Sequence, residues 1–167
     1  MTDLVGSEMR IPNEEILMRL LQMGVVIEEY AEEKSAFILG TTAEDEFIHD
    51  VLFDSLVESE THRDMLIKLM DEIGENTVDK GMIEELVKES VESSMGEFES
   101  DEEILREQLS SERLAYNFYD NLIEACRNSR TNIEEEKLEK VLSTLEDIRE
   151  DEAEDARKIE DILKGAP

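Results

Sequence analysis

Residues 105–126 read LREQLSSERLAYNFYDNLIEAC, and one face of that stretch, Leu105, Gln108, Glu112, Ala115, Tyr119, Leu122 and Cys126, recurs at alternating steps of three and four. That is the period of an amphipathic α-helix whose apolar stripe faces a core. Three more stretches carry the same stripe. The first holds Leu17, Leu21, Gly24, Glu28, Ala31, Ser35 and Ile38, and the second Ile48, Leu52, Ser55, Ser59, His62, Leu66 and Leu69. The last holds Leu138, Val141, Leu145, Ile148, Glu152, Asp155, Ile159 and Ile162. Low aromatic content, two prolines and abundant Leu, Ile, Glu and Met agree with an all-helical chain.

The stretches between the stripes set the organisation. Ile11-Pro12-Asn13 closes an aperiodic start, so residues 1–12 are expected as a flexible N-terminal tail and Asn13 as the first helix cap. Thr41 with Glu44, Ser100 with Glu103, and Asn132 with Glu135 have capping-box spacing and predict the starts of the other three helices. The helices should run to about Leu39, Ile73, Arg127 and Lys164-Gly165. From Gly74 to Glu99 the period weakens, and a short amphipathic piece around Met82, Ile83, Leu86 and Val87 predicts a long crossover with its own short helix. The expectation is an antiparallel four-helix bundle of two hairpins filling a single domain over residues 13–167, with helices of about 27 residues spanning about 40 Å.

The two halves match in register. A shift of 84 residues, Glu28 to Glu112, lays the first stripe on the third, and a shift of 93, His62 to Asp155, lays the second on the fourth. The ionisable residues of all four stripes then fall at one level, where Leu or Ile would normally fill a core. An isolated buried carboxylate costs several kcal/mol or more, so Glu28, His62, Glu112, Glu152 and Asp155 call for a cause.

Composition narrows the classes of partner. Asp and Glu outnumber Lys and Arg by 46 to 17, for a net charge of -29, which argues against nucleic-acid phosphates and anionic lipid and in favour of metal cations. No apolar run approaches the roughly 20 residues that span a bilayer. Cys126 has no second cysteine to pair with, and no leader pattern opens the chain, so a reducing, cytoplasmic location is expected.

A Glu on each of two helices, with an i, i+3 polar pair on each of the other two, is how a bundle builds a carboxylate-bridged dinuclear metal centre. The chain resembles the ferritin-like superfamily, particularly its rubrerythrin-like members. The resemblance rests on Glu112-x-x-Ala115-x-x-x-Tyr119-x-x-Leu122-Ile123, on Glu28-x-x-Ala31, on Glu58-Ser59-Glu60-Thr61-His62-Arg63-Asp64-Met65-Leu66 and on Asp151-Glu152-Ala153-Glu154-Asp155. It implies one or two Fe or Mn ions between the helices, with Glu28 and Glu112 as single-helix ligands, His62 as the second-helix histidine and Glu152 as the fourth-helix glutamate. It also implies ferroxidase, peroxide-consuming or oxygen-linked redox chemistry, and a homodimer.

Two positions depart from that pattern. Ser59 stands where the second-helix glutamate belongs, and Asp155 where the fourth-helix histidine belongs, so the candidate metal ligands are Glu28, His62, Glu112, Glu152 and Asp155. No Cys-x-x-Cys pairs accompany them, so a rubredoxin-type iron centre is not expected. The alternative is a metal-free bundle with a structural or interaction role, in which His62 is a hydrogen-bonded core histidine and the glutamates hold protons or pair with it. A third reading is a cation buffer acting through the acidic surface. Tyr119 is expected to hydrogen-bond a carboxylate of the layer, with His49 at the surface, Glu58 at the stripe edge, Cys126 in the core and the methionines as gap fillers.

Overall fold

The computed structural model describes residues 9–41, 45–74, 81, 84–85, 88–89 and 98–165. Its long helices are α1 (Glu14–Thr41), α2 (Glu46–Ile73), α3 (Asp101–Arg127) and α4 (Glu135–Leu163). Met82, Ile83, Leu86 and Val87, around which the short crossover helix is expected, lie outside the described residues, while the described positions between and beside them, 81, 84–85 and 88–89, are helical. Among the described residues no helix is long and apolar enough to cross a membrane.

Local capping chemistry sets the helix starts. Asn13 accepts the Ile16 N–H at 2.9 Å, as expected, with Glu14 and Glu15 favourably placed in the positive first turn of α1. For α2 the expected Thr41 cap is replaced: Thr41 is the last residue of α1, and Asp45 accepts the N–H groups of Phe47 and Ile48 at 2.8 and 3.3 Å. An ionised carboxylate is the stronger acceptor at a helix N-terminus. Ser100 caps α3 through the Glu103 N–H at 3.2 Å, and Glu103 reaches back to the Glu99 N–H at 2.8 Å. Asn132 does not cap α4. Its amide donates to the Ile11 carbonyl at 3.1 Å, and Glu134 occupies the cap position with no side-chain capping hydrogen bond. Residues 9–12, from the stretch expected as a tail, lie against this end of the bundle, with Ile11 buried and its N–H donated to Ser129 Oγ at 2.6 Å. Gly165, at φ +75°, follows the last turn of α4, a left-handed position that suits glycine.

The stripes pack as two antiparallel hairpins, α1 with α2 and α3 with α4, docked into a four-helix bundle. One apolar cluster joins Leu17 and Leu21 of α1, Leu66 and Met70 of α2, Leu122 and Cys126 of α3, and Leu138 and Leu145 of α4. A second joins Ile38, Ile48, Leu52, Ile104, Leu105 and Ile159 at the opposite end. The start of α1 therefore meets the ends of α2 and α3, so α2 and α3 run in one direction and α1 and α4 in the other. Each fully buried Leu or Ile contributes roughly 1.5–3 kcal/mol. Gly24 permits a close crossing, since a Cβ there would sit 3.1 Å from Leu66 and 3.5 Å from the rings of Phe118 and Tyr119.

Basic side chains also tie the helices to one another. Arg63 of α2 bonds Glu29 and Glu32 of α1, Arg149 of α4 bonds Asp120 of α3, and buried Lys34 of α1 bonds Glu107 and Ser111 of α3.

Candidate metal centre

Between the two apolar clusters lies a level at which the core turns polar. Glu28, Ser55, Ser59, His62, Gln108, Glu112 and Glu152 are all buried there, each at the stripe position of its helix. The imidazole of His62 is the hub. Its Nδ1 lies 3.1 Å from Glu152 Oε1 and 3.5 Å from Glu28 Oε1, and its Nε2 lies 3.0 Å from Asp151 Oδ2 and 3.8 Å from Glu58 Oε1. Carboxylate oxygens thus face both ring nitrogens, which suits a doubly protonated ring.

Neighbours hold these carboxyls in place. Tyr119 donates its hydroxyl to Glu28 at 2.7 Å, the contact expected from its stripe position. Glu112 Oε1 accepts from Ser55 Oγ at 3.2 Å and Gln108 Nε2 at 3.0 Å, and its carboxyl is also hydrogen-bonded to Glu152. Asp155 lies toward the outside, half-buried, and bonds Glu58. Glu28, His62, Glu112 and Glu152 therefore share the layer as the register implied, whereas Asp155 pairs with Glu58 at its rim.

Electrostatics show how so many acids coexist. Burial disfavours a charged His62, yet hydrogen bonds and charges from Glu28, then Asp151 and Glu58, outweigh it and raise the imidazole to about 9. Burial, followed by hydrogen bonding and charge from Asp155, pushes Glu58 up to about 9. Glu152 is driven well above the usual carboxylate range by burial first and then by Glu112, Glu28 and Glu58. Asp155 rises through burial and the Glu112 charge, opposed by Glu58, Lys158 and His62. Burial and the adjacent Glu28 keep the Tyr119 phenol neutral. At neutral pH the metal-free layer thus carries protons on His62 and Glu58, and Glu152 is biased toward its protonated form, which offsets like-charge repulsion that would amount to about 4 kcal/mol per pair at 4 Å.

Among the described residues two groups of side chains have the spacing of metal ligands. One ligand atom each from Glu28, His62 and Glu152 lie within 4.8 Å of one another, all buried, and the same holds for Glu58, His62 and Asp151 nearer the surface. Ligands about 2.2 Å from a first-row ion sit up to about 4.4 Å apart, so small side-chain movements close either group on a cation. The buried Glu and His group can therefore hold a metal.

Asp151 is absent from the stripe reading because it precedes Glu152 by one residue, about 100° around the helix. A histidine whose one nitrogen faces the core must turn its other nitrogen toward a helix edge, and that was the available signal. Glu58 was placed at the stripe edge, and its carboxyl sits there, 3.8 Å from His62. Ser59 is buried one turn before His62, leaving a hydroxyl where a bridging carboxylate would stand.

No family model matches the chain, and neither a curated protein nor a solved structure matches it.

Proposed function

We propose that this chain is a ferritin-like metal-binding protein that holds an Fe or Mn ion between its helices. The observation that carries the reading is the convergence of Glu28, His62 and Glu152, from three different helices, within 4.8 Å of one another in a core that is apolar above and below them. Two carboxylates and an imidazole suit Fe(II) or Mn(II), and a cation supplies the positive charge that protons provide in its absence. On this reading Glu112, hydrogen-bonded to Glu152, and Asp155, hydrogen-bonded to Glu58, would be the candidates for holding a second ion. Bound iron or manganese would supply redox or Lewis-acid chemistry of the ferroxidase or peroxidase type. Tyr119 would orient Glu28, and Ser55 with Gln108 would orient Glu112.

Metal analysis tests the proposal. Protein purified without chelator and loaded with Fe(II) or Mn(II) should retain close to one equivalent or more after desalting, and less than about 0.1 equivalent refutes it. One observation favours the alternative of a metal-free structural or interaction bundle. Among the described residues every buried side-chain nitrogen and oxygen already has a hydrogen-bond partner, so the layer is internally satisfied. On that alternative Glu112→Leu leaves stability unchanged or raises it, because replacing buried polar groups by packed apolar ones is often stabilising.

A further inference from the structure

The two triads share His62 through opposite nitrogens and differ in depth. Glu28 and Glu152 beside Nδ1 are 1 % and 6 % exposed, whereas Glu58 and Asp151 beside Nε2 are 26 % and 48 % exposed. The imidazole therefore stands as a partition between a sealed position and one open to solvent. A neutral imidazole has one lone pair for a cation and carries its proton on the other nitrogen. With Nδ1 on a metal, Nε2–H donates to Asp151 at the distance already present; with Nε2 on a metal, Nδ1–H donates to Glu152 in the same way. Either arrangement leaves every ring nitrogen satisfied.

Resting on the metal-binding reading above, we infer that Glu58, Asp151 and Nε2 of His62 form a second, solvent-facing site for a divalent first-row cation, filled in alternation with the buried triad. The exposed carboxylates lie on the surface of a chain of net charge -29, where cations are concentrated. A cation held there is one imidazole width from the buried triad. When the cation passes the ring from Nε2 to Nδ1 and the ring's proton passes from Nδ1 to Nε2, the ring begins and ends neutral. The rival role for Asp151 is to orient His62 for the inner ion alone.

Co(II) titration followed by its d–d absorption separates these roles. Wild-type protein should take up one Co(II) that is lost in His62→Ala. Glu28→Gln/Glu152→Gln, which dismantles the inner triad while keeping side-chain volume, should still take up one His62-dependent Co(II), bound at least tenfold more weakly. Adding Asp151→Asn to that variant should abolish it. Should the double variant not fold by circular dichroism, Glu152→Gln alone, read with and without Asp151→Asn, makes the same comparison. No His62-dependent Co(II) in the inner-triad variant, with normal uptake by wild type, overturns the second site and leaves the buried one standing. Two Co(II) per wild-type chain, both abolished in His62→Ala, overturn the alternation. No uptake by wild type overturns both the inference and the metal-binding reading beneath it.

Discussion

Replacing Tyr119 by Phe isolates one contact of the layer. Tyr119 is completely buried, and its ring packs edge-to-face on Phe118 with centroids 5.3 Å apart. Phe keeps that ring, so the apolar contribution is preserved and the loss reduces to the hydroxyl's 2.7 Å bond to Glu28, itself 1 % exposed. A hydrogen bond to a charged group contributes about 1.5–3 kcal/mol, and the burial of Glu28 shields it from bulk solvent. Tyr119→Phe should therefore destabilise the metal-free protein by about 2 kcal/mol, or about 4–8 °C in Tm for a chain of 167 residues. Urea unfolding at pH 7, followed by far-ultraviolet circular dichroism, measures the loss directly. In a Glu28→Gln background, where the acceptor is a neutral amide oxygen, the same substitution should cost about 1 kcal/mol. A loss below about 0.5 kcal/mol in the Glu28 background, or equal losses in both, would refute the claim that a buried carboxylate accepts this bond.

Stability of the metal-free protein should fall as pH rises from 6.5 to 9. His62 holds its proton to about 9 in the fold against 6.5 ordinarily, so its contribution is complete below 6.5 and is lost as pH passes through 9; it amounts to about 3 kcal/mol. Glu58, raised from 4.5 to about 9, acts in the same direction from pH 4.5 upward. A flat urea midpoint across that window would contradict both. Ser129→Ala should cost about 1–3 kcal/mol in the same assay, because the Ile11 N–H loses its buried acceptor at 2.6 Å; a change under about 0.3 kcal/mol would show that the segment is held otherwise. Cys126, whose thiol burial pushes to about 12, should resist Ellman's reagent at pH 8 until urea unfolds the chain; complete reaction of the native protein within minutes would contradict its burial.

The bundle was legible because four stripes hold the helical period without interruption, and the shared register placed Glu28, His62, Glu112 and Glu152 at one level before any contact was known. Helix starts were less legible, because capping-box spacing at Thr41 and at Asn132 does not decide which residue caps the helix. Asp45 offers a charged acceptor in the first case, and in the second the Asn132 amide is drawn to the Ile11 carbonyl, a partner 121 residues away in sequence. The solvent-facing half of the layer escaped for a related reason. A one-face pattern selects residues that point at the axis, whereas Asp151 and Glu58 reach His62 from the edges of α4 and α2. Their contribution depends on which way an imidazole ring turns, and spacing does not encode that.

Anomalous diffraction from crystals grown with Mn(II) would locate an ion held by the polar layer. A peak is expected inside the bundle, about 2.2 Å from carboxylate oxygens of Glu28 and Glu152 and from Nδ1 of His62. Manganese confined to carboxylates on the outer surface, with Nδ1 of His62 still hydrogen-bonded to Glu152, would contradict the metal-binding reading.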